Sequence, residues 1–106
     1  GDIYQQLPMS LSGTLDHIFT RMADLGFTAT CNIIEGNYTL MAQDDSKSSY
    51  YKRKTPKDSE ITLEELETKS SEYLYNKIRM LADPYPNAFI KTSDGKNIYL
   101  LKSRFE

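Results

Sequence analysis

The sequence predicts an α+β fold: a strand, a long helix, an irregular connection, a second helix and a C-terminal β-hairpin. Three observations carry that prediction. A one-sided apolar stripe at helical spacing runs from Leu15 to Ile33. A shorter stripe, Leu74, Ile78 and Leu81, runs into the paired prolines of Asp83-Pro84-Tyr85-Pro86, which forbid further helix. After them, Asp94-Gly95 lies between two β-prone runs, a strong hairpin signal.

Taken in order, Gly1 to Met9 opens the chain with Ile3, Gln5 and Leu7 alternating against Asp2, Tyr4 and Gln6. That period of two predicts a strand, placed at an edge or ending at Pro8, which has no amide to donate. The opening is abrupt and reads as the edge of a piece cut from a longer chain. Ser12 or Thr14 then supplies an N-cap, with Asp16 in the positive first turn. The helix stripe is Leu15, Ile18, Phe19, Met22, Ala29 and Ile33, and Gly36-Asn37 ends it. Gly26 falls on the stripe. Glycine there costs about 1 kcal/mol relative to Ala, so a close-packing point or a kink is expected. His17 and Cys31 read as ordinary helix residues, since neither has partners at catalytic or metal-ligand spacing.

From Tyr38 to Ile61 regular pattern is lost. Tyr38–Ala42 reads as a short strand, Gln43–Ser49 as a polar loop, Tyr50–Lys54 as extended, and Thr55–Asp58 as a turn. This is the one place where aromatics and cations cluster. Tyr50 and Tyr51 beside Lys52, Arg53 and Lys54 could stack a ring and hold a phosphate, or form an edge strand whose charges deter aggregation. The acidic run from Ile61 to Glu67 begins a helix capped by Thr62 or Thr68. A clearer helix spans Ser70 to Leu81, with Arg79 near its negative end. Past the prolines, Asn87 is placed at a sharp corner, with a positive φ that Asn tolerates. The hairpin strands are Ala88–Lys91 and Asn97–Leu101.

Composition bounds the function. The 106 residues, 39% hydrophobic and 26% charged, suit one small domain or part of a larger one. A net charge of −2 and a pI near 5.4 argue against a general binder of phosphate backbones. No run approaches the length of a membrane span. The single cysteine cannot form an internal disulfide and suits a reducing cytoplasm.

Three segments in order resemble formyltetrahydrofolate-dependent formyltransferases, the methionyl-tRNA and sugar-nucleotide enzymes together. They are Tyr51-Lys52-Arg53-Lys54-Thr55-Pro56-Lys57-Asp58-Ser59-Glu60-Ile61, Tyr75-Asn76-Lys77-Ile78-Arg79-Met80-Leu81 and Asp83-Pro84-Tyr85-Pro86-Asn87-Ala88-Phe89. The opening Gly1-Asp2-Ile3 is also similar to a segment of that family. Asn87 departs from the family's usual glycine. The resemblance implies the remnant of an α/β formyltransferase, with 1–61 ending the catalytic domain and 62–106 forming a short helix-plus-hairpin subdomain.

It further implies that the catalytic Asn, His and Asp lie upstream of Gly1, so no catalytic residue is expected here. The implied cofactor of the intact enzyme, 10-formyltetrahydrofolate, is not expected to bind this piece, and no metal site is expected. The implied partners are the missing N-terminal catalytic domain and an amino-sugar nucleotide acceptor. That acceptor is preferred over tRNA because of the acidic balance and the short C-terminal hairpin. Tyr50, Tyr51, Lys52 and Arg53 are the candidate acceptor contacts. The piece alone is expected to be inactive and, with unpaired strand edges, to self-associate as a dimer. A non-catalytic dimerisation module is the alternative from a different class.

Overall fold

The computed structural model describes residues 1–106. Two compact units divide the chain, Gly1–Tyr51 and Lys52–Glu106. The division falls ten residues before the 61/62 boundary read from the sequence. Ser59 and Ile61 both bond to residues of the second unit, which draws the connecting segment into it.

The first unit is built on helix α1, Leu15–Ile34. Thr14 is the N-cap, as one of the two expected residues. Its Oγ1 accepts from the His17 amide at 3.3 Å, and His17 Nδ1 accepts in return from the Thr14 amide at 3.3 Å. This reciprocal pair satisfies two of the amides a helix start leaves open. Gly13, at φ +90°, makes room for it: a Cβ there would stand 2.8 Å from His17 Nδ1. At the other end Gly36 takes φ +76°, and the Asn37 amide reaches back to the Asn32 carbonyl at 2.8 Å, closing the helix as expected.

Leu15 and Ile18 are buried, each contributing about 1.5–3 kcal/mol. The covered face continues through Leu25, Ala29 and Asn32, which are half-buried. Phe19, Met22 and Ile33, expected on that face, are exposed. A Cβ on Gly26 would meet nothing within 4 Å, so it is no close-packing point. The reason is geometric, because the covered arc of the helix is rotated away from Phe19 and Gly26.

The expected N-terminal strand is a single antiparallel bridge, Ile3 to Met41, with N···O distances of 2.7 and 2.9 Å. The alternation is real in burial: Ile3, Gln5, Leu7 and Met9 are half-buried and the residues between them exposed. Period two reports which side chains turn inward, but a strand also needs a ladder partner. Met41 is all that Tyr38–Ala42 supplies, so that predicted strand is likewise one bridge. The rings of Tyr4 and Tyr38 meet beside it at 5.0 Å.

The second unit holds a 3-10 turn at Pro56–Ser59, α2 (Leu63–Thr68), α3 (Ser71–Met80), and the antiparallel hairpin β1 (Ala88–Lys91) and β2 (Asn97–Leu100). Thr62 caps α2 and Ser70 caps α3 through their hydroxyls. The core is Ile61, Ile78 and Ala88, with Leu74, Leu81, Ile90 and Leu100 packed against it. It therefore uses the predicted stripe of α3 together with Ala88, Ile90 and Leu100 of the hairpin. Gly95 at φ +80° makes the turn, as Asp-Gly predicts.

Asn87 does not take the positive φ expected of it, since only glycines do so in this chain. It works through its side chain instead. Nδ2 donates to the Leu81 carbonyl at 2.8 Å and to Asp83 Oδ1 at 3.3 Å, so the amide closes the corner that φ was expected to close.

Candidate functional site

The step from Lys52 to Glu60 and the proline corner are the two segments with most structure to hold in place. Pro56 occupies the first position of its turn, where a missing amide costs nothing. Asp58 Oδ2 accepts from the Thr55 amide at 2.6 Å and from its hydroxyl at 3.1 Å. Those two bonds, first the amide and then the hydroxyl, hold the Asp58 carboxyl below the usual carboxylate range, with Lys54 and Lys52 adding positive charge. One residue on, the buried Ser59 hydroxyl donates to the Pro86 carbonyl at 2.9 Å. The Ile61 amide donates to the Phe89 carbonyl at 2.8 Å, beside a parallel bridge between Glu60 and Phe89. Step and corner are thus one object.

Lys77 joins α2 and α3 to that object. Its Nζ donates to the Glu60 carbonyl at 2.6 Å and to both Glu65 oxygens at 2.9 and 3.0 Å. With side chains 13% and 22% exposed, this pair is well shielded from water. Arg79 lies over the Tyr75 ring at 5.5 Å and donates to Asn76 Oδ1 at 2.8 Å.

Between these elements lies an open groove of about 720 Å³. Tyr73, Met80 and Tyr85 give it apolar surface, Asn76 gives an amide, and Lys54 and Lys57 stand at its side. A shallower depression of about 420 Å³ lies across the hairpin, against Phe89 and Tyr99.

Of the four predicted contact residues, none lines either depression. Tyr50 and Tyr51 end the first unit, 98% and 86% exposed, and Lys52 and Arg53 open the second. The segment belongs to no strand, which removes the edge-strand reading. Lys52, Arg53 and Lys54 make no ion pair. Lys54 alone of the basic run reaches the groove. Sequence reasoning missed the groove residues on α3. Tyr73, Asn76, Lys77 and Met80 follow the three- and four-residue spacing of one helix face, a signal present in the sequence. No three His, Cys, Asp or Glu side chains converge as metal ligands. No helix is long and apolar enough to cross a membrane.

Residues 56–99 match the family model of the methionyl-tRNA formyltransferase C-terminal domain. The structure superimposes on a methionyl-tRNA formyltransferase from Clostridium thermocellum with a TM-score of 0.72 at 27% identity, over 93% of this chain and 48% of that one. Over residues 56–99 the chain is similar to the C-terminal part of a formyltransferase. It spans about half the length of the enzyme it superimposes on. The matched segment, from Pro56 to Tyr99, begins inside the step and ends inside β2, so it takes in the groove's lining except Lys54 and Thr55.

Proposed function

We propose that this chain is the acceptor-side portion of a formyltransferase of the methionyl-tRNA formyltransferase type. In the intact protein a formyl group passes from 10-formyltetrahydrofolate to an amino group. The observation that carries this reading is the match of residues 56–99 to the C-terminal domain of that enzyme, supported by the superposition.

This reading assigns the folate donor and the proton-transfer groups to the upstream half. Within the groove Lys77 bonds Glu65 and Thr55 bonds Asp58. The two buried side-chain atoms without partners, Gln5 Oε1 and Ser103 Oγ, line neither depression. What this chain offers is an exposed strip, Tyr50, Tyr51, Lys52 and Arg53, able to stack a ring and hold a phosphate of the acceptor. Arg53→Ala in the protein joined to its upstream half should raise KM for the acceptor about tenfold, the loss of one charge-assisted contact. An unchanged KM removes the strip from the acceptor site.

A second acceptor class is a nucleotide-linked amino sugar. The net charge of −2 favours it, because a long phosphate backbone is held by excess positive charge. Salt separates the two. KM for a tRNA acceptor rises steeply between low and moderate salt, and KM for a small nucleotide changes little.

A further inference from the structure

Beside its covered arc, α1 carries a second apolar face that is left exposed. Met22, Ala23, Gly26, Phe27, Thr30 and Ile34 follow the three- and four-residue spacing of one side of a helix. All six are exposed, Met22, Phe27 and Ile34 by 51%, 73% and 79%. Past Asp16 this side of the helix holds no charged residue. The Thr30 hydroxyl already donates to the Gly26 carbonyl at 2.8 Å, so burying the face would strand no polar side chain. Gly26 lies at its centre. Glycine is the poorest helix former after proline, and Gly26 has none of the positive φ that Gly13, Gly36 and Gly95 take. A Cβ there would meet nothing inside the chain. A glycine so placed lets a neighbour from outside approach the helix backbone closely.

We propose that this face is the seam against the upstream half of the intact protein, which lays an apolar surface of its own across Gly26. Length supports that occupant. The Clostridium thermocellum enzyme matches 93% of this chain with only 48% of its own, and the family match is to a C-terminal domain. About as much chain again therefore lies outside the match and ahead of it. The first unit is itself an incomplete body. Leu15 and Ile18 are its only buried hydrophobic residues, too few to hold so small a unit alone. A covalently joined neighbour meets the face at high effective concentration, ahead of a second copy of the chain. The inference rests on reading the chain as part of a longer formyltransferase, and not on which acceptor that enzyme uses.

Thiol labelling of the protein joined to its upstream half, read at the labelled peptide by mass spectrometry, tests the seam. With Cys31→Ser throughout, Ala23→Cys lies on the face and Asp24→Cys lies one residue off it, at an exposed position. In the joined protein Ala23→Cys should label about tenfold or more slowly than Asp24→Cys. In the 106-residue chain the two should label alike. Gly26→Leu should change sign between them: it keeps or raises the unfolding midpoint of the 106-residue chain and lowers that of the joined protein. Equal labelling in the joined protein would overturn the proposal. So would protection already present in the 106-residue chain, protection lost on dilution, which is the signature of a second copy, or a midpoint raised by Gly26→Leu in both. Formyl transfer by the joined protein is read separately. Transfer with equal labelling removes the seam alone, and protection without transfer removes the formyltransferase reading alone.

Discussion

At the residue scale, a few side chains hold the second unit by bonds between segments distant in sequence. Ser59 is the clearest, 3% exposed with its hydroxyl on the Pro86 carbonyl. Ser59→Ala leaves that carbonyl without this donor, and the denaturation midpoint should fall by about 1–2 kcal/mol of stability. Lys77→Ala should cost about 1–3 kcal/mol, because Glu65 and the Glu60 carbonyl lose their shared donor in a shielded setting. Replacing Lys77 and Glu65 together with Met and Leu should recover most of that loss, since no charge is then left unpaired.

Three aspartates connect stability to pH. Asp44, Asp58 and Asp94 are each held below the usual carboxylate range, Asp44 mainly by Ser46, Asp58 by the Thr55 amide and hydroxyl, and Asp94 by the Thr92 hydroxyl and the Lys96 amide. A carboxyl that binds its proton more weakly folded than unfolded stabilises the fold above its ordinary range. The contribution is lost as pH falls through the lowered folded values. Denaturant titrations from neutral to acid pH should show a decline that begins in the carboxylate range. Asp58→Asn and Asp94→Asn should each flatten it.

At the scale of elements, α1 depends on a start that admits no side chain at Gly13. Gly13→Ala combines a positive φ with a Cβ 2.8 Å from His17 Nδ1, and should lower stability by about 1–2 kcal/mol. In the second unit, Ile78→Ala removes the middle of the core and should cost about 2–5 kcal/mol. Both can be read from chemical denaturation followed by circular dichroism.

The elements that were legible in the sequence follow local rules. Thr14 and Thr62, each one of two candidates, are caps because a hydroxyl at that spacing meets the amides a helix start exposes. Asp94-Gly95 makes a hairpin because glycine enters positive φ freely. What was not legible depends on partners far along the chain. Periodicity located an inward-turned row at Ile3, Gln5 and Leu7, but not that Met41 alone would pair with it. It located a stripe on α1, but not which arc would be covered. The groove went unread for the same reason: its walls are the step, α3 and the corner, brought together by Ser59, Ile61 and Lys77.

At the scale of the molecule, the three segments that resembled formyltransferases serve one another. The step is bonded to the corner, and the helix between them supplies Ile78 to the core and Lys77 to the step. The three segments thus form one packing unit, most of which lies within the match over 56–99. The preference for an amino-sugar acceptor, drawn from acidity and the short hairpin, gains no support from the comparisons, which point to the methionyl-tRNA enzymes. The proposed division of labour leaves the chemistry to the upstream half and the acceptor to this one.

Formyl transfer by the full-length protein tests that division most directly. Radiolabelled formyl from 10-formyltetrahydrofolate should appear on the amino group of an acceptor, methionyl-tRNA or a nucleotide-linked amino sugar. The 106-residue chain alone should transfer none. Transfer by the isolated chain, or a folded full-length protein that formylates neither acceptor, would contradict it.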